Sequence, residues 1–142
     1  MARVINPETG RKERDRYVKG IVKALRQLML REQVDDKSRD LASFIALALY
    51  KINETIDVSV DAWEKRGYWL KADRYRMEWD WSLLLGKDLH LAILKEDWDH
   101  IAAISVKIAQ KLYQVKLPQR DRIGEPWIDA WQKLKSRPID SE

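Results

Sequence analysis

The chain contains no cysteine among its 142 residues. Disulfides, thiolate metal sites and a cysteine nucleophile are thereby excluded, and the absence suits a reducing compartment, so the cytoplasm is the expected location. Five glycines and four prolines are too few for a loop-rich β fold. The longest apolar run, LASFIALAL from Leu41 to Leu49, is far shorter than the roughly 20 residues needed to cross a bilayer. The opening MARVINPETG lacks the apolar segment of a secretory signal, so neither secretion nor a membrane partner is expected. None of the seven serines sits in a nucleophile elbow, and no glycine-rich phosphate loop is present.

What the chain does have is 45% hydrophobic and 35% charged residues, the composition of an all-α protein with a charged surface. Its length suits one domain with one core. The net charge of +4 is unevenly spread. Residues Met1 to Val34 hold nine Lys or Arg against four Asp or Glu, whereas Asp35 to Arg66 hold five against seven. A basic first segment followed by an acidic second one suits an anionic partner or the pairing of one helix with another.

Helical periodicity divides the chain into five segments. Asn6-Pro7 reads as a cap and first turn, and Tyr17, Val18, Ile21, Val22, Leu25, Leu28 and Met29 recur at helical spacing, predicting a helix over 7–33. Asp35 and Asp36 offer caps for a second helix over 36–66, with a stripe of Leu41, Ile45, Ala48, Leu49, Ile52, Ile56, Val60 and Trp63, and Gly67 ends it. A third helix, 68–94, is apolar on two sides: Leu70, Met77, Trp81, Leu84, Leu85, Leu91 and Ala92 form the expected core face, and Tyr75, Trp79, Leu83 and Ile93 lie opposite. Gly86 within it suggests a close approach or a bend. Asp97 caps a fourth helix, 97–114, and Pro126 is placed to open a short fifth one over 126–135, leaving 136–142 as a frayed tail. Short connections favour antiparallel neighbours, so the expected fold is an up-down four-helix bundle with a short additional C-terminal helix.

The densest chemistry lies in WEKRGYWLKADRYRMEWDW, residues 63 to 81, where four of the seven tryptophans stand among Lys65, Arg66, Lys71, Arg74 and Arg76. At 100° per residue Trp79 and Trp81 point about 200° apart, so the aromatics need two environments. One is the core. The other, with Tyr75, Trp79 and Leu83, joins Trp69, Trp127 and Trp131 as a candidate contact with another helix or subunit. Aromatic rings flanked by cations also suit single-stranded nucleic acid. A second pattern is a basic stripe on the first helix, Lys12, Arg16, Lys19, Lys23 and Arg26, which with Arg74 makes the candidate polyanion surface.

Carboxylates at Glu54, Asp57, Asp61 and Glu64 repeat at spacings of three and four, as in metal-binding helical bundles. The helical wheel turns them outward, opposite Ile45, Ile52 and Ile56, so no metal or cofactor is implied. Asp97 and His100 form one isolated acidic-x-x-His pair, and Asp88 falls within the expected core stripe of the third helix. No catalytic residues are assigned. The leading expectation is a non-enzymatic interaction or scaffold module that self-associates or docks in a protein complex. A subunit binding nucleic-acid backbone in a ribonucleoprotein-type complex is the alternative, and a metal-dependent all-α enzyme the second.

Overall fold

The computed structural model describes residues 7–139, with side chains from Gly10 onward. Its order is α1 (Pro7–Met29), α2 (Asp36–Lys65), α3 (Trp69–Leu94), α4 (Trp98–Lys111) and α5 (Ala130–Lys135), with no strand among the described residues. The all-α expectation, four long helices and a short C-terminal one, is what the structure shows. Asn6, the expected first cap, lies outside the described residues.

The central helix is α2, which packs against α1, α3 and α5. Its 30 residues bury Leu41, Ile45, Leu49, Ile52, Ile56 and Val60 together with the small Ala42, Ala46 and Ala48. Bulky and small residues alternating around one cylinder let neighbours approach from more than one side. Val18, Ile21, Val22 and Leu25 of α1 complete one side of this core, and Ile101, Ile104 and Ile108 of α4 add to it.

The helix ends follow local chemistry. Asp35 caps α2 by accepting the Ser38 N–H at 3.0 Å, a bond that with the Ser38 hydroxyl and Arg31 holds its carboxyl below the ordinary range. The Ser38 hydroxyl also donates to the Gln33 carbonyl at 2.9 Å, fixing the turn, and α1 stops at Met29 rather than reaching Gln33. At the other end Gly67, at φ +82°, donates to Glu64 O, and Tyr68 N–H to Trp63 O, a Schellman closure for which glycine is the unstrained residue. The α3–α4 turn repeats this pattern through Glu96 N–H to Ile93 O and Asp97 N–H to Ala92 O. Here Glu96, a residue with a Cβ, occupies the left-handed position at φ 54°. Asp97 caps α4 as expected, accepting from His100 N–H.

The structure turns only part of the expected core face of α3 outward, since Trp81, Leu85 and Ala92 of that face do pack against the core. Ala72, Ser82, Gly86, Leu89, His90 and Ile93 are buried with Tyr75 and Trp79 half-buried beside them, whereas Leu70, Met77, Leu84 and Leu91 are exposed. Small residues decide this. A Cβ on Gly86 would meet Leu49 Cβ at 3.2 Å, so α3 seats its small-residue ridge on α2 where the longer side chains of the other face would not fit. Asp88 consequently leaves the core: it is half-exposed and accepts from His100 Nε2 at 2.9 Å.

The C-terminal segment closes over α1 and α2. Asp121 accepts from Lys23 at 2.8 Å and from Ile123 N–H, two bonds that hold its carboxyl below the ordinary range. Instead of starting a helix, Pro126 begins a turn that ends at Asp129 in the left-handed region, and α5 starts at Ala130. Asp40 of α2 then accepts the Trp131 N–H at 2.9 Å, capping α5 from across the fold. Residues 136–139, expected to fray, are placed, with Arg137 lying 4.0 Å over the Tyr50 ring. Beneath it the Tyr50 hydroxyl meets His90 Nδ1 at 2.9 Å, and the fully buried imidazole turns Nε2 toward the Leu134 backbone without a hydrogen bond of regular geometry.

Two outcomes follow from these contacts. Glu96→Gly removes a side chain from a left-handed position and is expected to stabilise the fold by about 1 kcal/mol in urea unfolding. Burial first, and Arg137 second, push the His90 imidazole below its ordinary value of 6.5, so the native state favours the neutral ring. That contribution is complete above the unfolded value and is lost as pH falls through the lowered native one, because the unfolded chain takes the proton first. Stability measured between about pH 7 and about pH 5 should therefore fall less steeply in His90→Gln than in the native chain.

Candidate functional site

The start of α1, the end of α2, the start of α3 and the end of α4 converge at one end of the bundle on a cleft of about 740 Å³. The α1 helix supplies Arg11, Arg14, Asp15 and Val18, and the end of α2 with the following turn supplies Trp63, Arg66 and Tyr68. Lys71, Tyr75, Glu78 and Trp79 enter from α3, and Lys111 from the last turn of α4. Five cations thus face two carboxylates, one of which, Asp15, is already paired with Lys19 at 3.1 Å.

Arg14 is the centre of this arrangement. Only 5% of its surface is exposed, and its guanidinium lies over the rings of Tyr75 at 4.8 Å and Trp79 at 5.7 Å. Those contacts fix the plane of the group, yet its Nη1 is buried and has no hydrogen-bond partner among the described residues. Burial, followed by the field of Arg11, pushes its pKa below the ordinary value, while Glu78 and Asp15 oppose the shift. Around it the aromatics support one another: Trp63 meets Tyr75 edge to face at 4.8 Å, and Lys71 lies 4.7 Å over Trp63. Tyr68 is exposed.

Two sequence expectations are revised by these contacts. Trp79 and Trp81 leave the helix in different directions, but their rings converge, stacked 5.8 Å apart at 26°, so long side chains override the divergence of the backbone vectors. The basic stripe of α1 is partly consumed, because Lys19 is held by Asp15 and Lys23 by Asp121, where it also lies 5.9 Å from the Trp127 ring. Lys12, Arg16, Arg26 and Arg74 are exposed.

Of the residues expected to meet a partner, Trp127 is buried, Tyr75, Trp79 and Leu83 are half-buried, and Trp131 is half-buried under Arg39 at 4.7 Å. Only Trp69 stands exposed. The α2 carboxylates face outward, with Asp61 paired to Lys65, Glu54 to Lys51 and Glu64 to Arg76.

A regular row of exposed apolar side chains runs along the other side of α3. Leu70, Met77, Leu84 and Leu91 are 65%, 74%, 66% and 40% exposed and are spaced seven residues apart. They form a nearly straight stripe about 31 Å long on the side away from α2.

Arg14 escaped sequence reading because an arginine beside Arg11, Lys12 and Arg16 looks like one more surface charge. A signal was present: Arg14, Val18, Ile21 and Leu25 are spaced 4, 3 and 4, so Arg14 extends the buried stripe of α1 by one turn. The other members come from separate elements, and only the folded chain brings them together. The chain matches no family model, no curated protein and no solved structure.

An arginine whose burial serves packing alone would be stabilising. Burying a guanidinium with an unpaired Nη1 instead costs free energy that the ring contacts offset by about 0.5–2 kcal/mol. Arg14→Met keeps a long apolar stem against both rings and is expected to leave the thermal midpoint unchanged or raised. A loss above about 2 kcal/mol would show that the cation–π contacts dominate.

Proposed function

We propose that the chain is a non-enzymatic interaction module that associates with a second copy of itself through the outer face of α3. The observation supporting this reading is the stripe of Leu70, Met77, Leu84 and Leu91, since four exposed large apolar side chains at seven-residue spacing supply one of the two positions of a helix-pairing seam.

The stripe is complementary to its own reverse. In an antiparallel pair with its two-fold axis between Met77 and Leu84, Met77 faces Leu84 of the second copy and Leu70 faces Leu91. On one flank Arg74 then comes beside Asp88 of the second copy, and Trp81 beside Trp81. An isologous contact of this kind closes at two subunits and needs no other component. One helix face lies at the low end of stable interfaces, on the order of 1,200 Å² or less in total, so the dimer is weak and concentration-dependent.

Light scattering after size-exclusion chromatography tests the reading. The native chain is expected to pass from monomer to dimer as concentration rises, and Met77→Glu with Leu84→Glu to remain monomeric with unchanged helix content. A native chain that stays monomeric throughout, or a double variant that still dimerises, would rule the outer face of α3 out.

A further inference from the structure

We infer that the cleft around Arg14 binds a nucleotide, free or as a unit of a single strand, with Arg14 and the rim cations holding its phosphate and Tyr68 stacking on its base. The first ground is Arg14 itself: a residue only 5% exposed, lining a cleft, with an Nη1 that no described residue satisfies. A buried donor without a partner is costly, and because Nη1 has almost no accessible surface, a small turn of the side chain is what brings it to an anionic acceptor in the cleft.

Electrostatics select the charge of the ligand. Arg11, Arg66, Lys71 and Lys111 surround the same space, and of the two carboxylates there Asp15 is bound to Lys19. The net field is positive and favours a phosphate over a neutral or cationic group. Because Tyr75 and Trp79 hold the guanidinium plane, little ordering remains to be done on binding, and a planar fork fits two phosphate oxygens better than an ammonium would.

Size and wall chemistry select the rest. About 740 Å³ is more than a bare inorganic anion fills and lies within the range of clefts that hold organic ligands. Beside the phosphate position the walls are aromatic, and Tyr68 at the turn keeps an exposed ring next to Arg66 and Lys71. Cations beside an available ring match the two halves of a nucleotide, phosphate and base, and act without reading sequence. This site is on the opposite face of α3 from the self-association stripe, with the stacked Trp79 and Trp81 between them.

The probe is a short mixed-sequence single strand carrying a 5′ fluorophore, followed by anisotropy at low salt, with adenosine monophosphate and inorganic pyrophosphate as competitors. Binding is expected to weaken as salt rises. Arg14→Met is expected to weaken it about tenfold or more, and the exposed Lys111→Glu and Arg66→Glu severalfold each, while Met77→Glu with Leu84→Glu leaves it unchanged. Tyr68→Ala should weaken the strand and adenosine monophosphate but not pyrophosphate.

Competition by adenosine monophosphate at least as effective, per phosphate, as that of the strand identifies a free nucleotide as the ligand, and a large advantage of the strand identifies single-stranded nucleic acid. Both outcomes support the site. Absence of binding at low salt, binding indifferent to Arg14→Met, Lys111→Glu and Arg66→Glu, or pyrophosphate competing as well as the nucleotide would each overturn it.

Discussion

Everything in this bundle depends on how closely α1 and α3 approach α2. At Gly20 of α1 a Cβ would meet the Phe44 ring at 3.0 Å, and at Gly86 of α3 a Cβ would meet Leu49 at 3.2 Å. Both neighbours are thus seated where an added methyl group would be crowded, one on each side of the central helix. Close seating leaves little void for α4 to fill and brings the side chains at the end of α2 within reach of both neighbours. The cleft is the product: Arg14 from α1 and Tyr75 and Trp79 from α3 meet there because the backbones that carry them are held close to Trp63.

The seating also decides what α3 leaves outside. A helix that is apolar on one side only has no choice of face, whereas α3 is apolar on both and turns its small residues inward. Leu70, Met77, Leu84 and Leu91 are left outside as a regular row. The two surfaces we propose as functional are therefore opposite sides of one helix. Its inner side gathers cations and rings, and its outer side offers aliphatic groups to water.

The sequence made some of this legible and not the rest, for physical reasons. The helices and their ends were readable because they depend on local chemistry: Asp35 and Asp97 as caps, Gly67 as a stop, and a clean apolar stripe on α2. The orientation of α3 was not, because periodicity measures contrast between faces and α3 has almost none. Nor was α5, whose start is set by Asp40 from a distant helix rather than by Pro126 nearby. The cleft was half legible. Residues 63 to 81 drew attention to the aromatics and some of the cations, but Arg14 and Lys111 reach them only through tertiary packing.

The latch formed by the C-terminal segment has a consequence for the order of events as the chain folds. Most helix contacts join neighbours along the chain, but the two bonds that hold the latch, Lys23 to Asp121 and Asp40 to Trp131, span 98 and 91 residues. Contacts of such separation form late, since the loop they close must first be organised by nearer ones. Until α5 and Arg137 arrive, the imidazole under Tyr50 has no cover on that side and stays wet. The burial of that one ring therefore depends on bonds that span most of the chain.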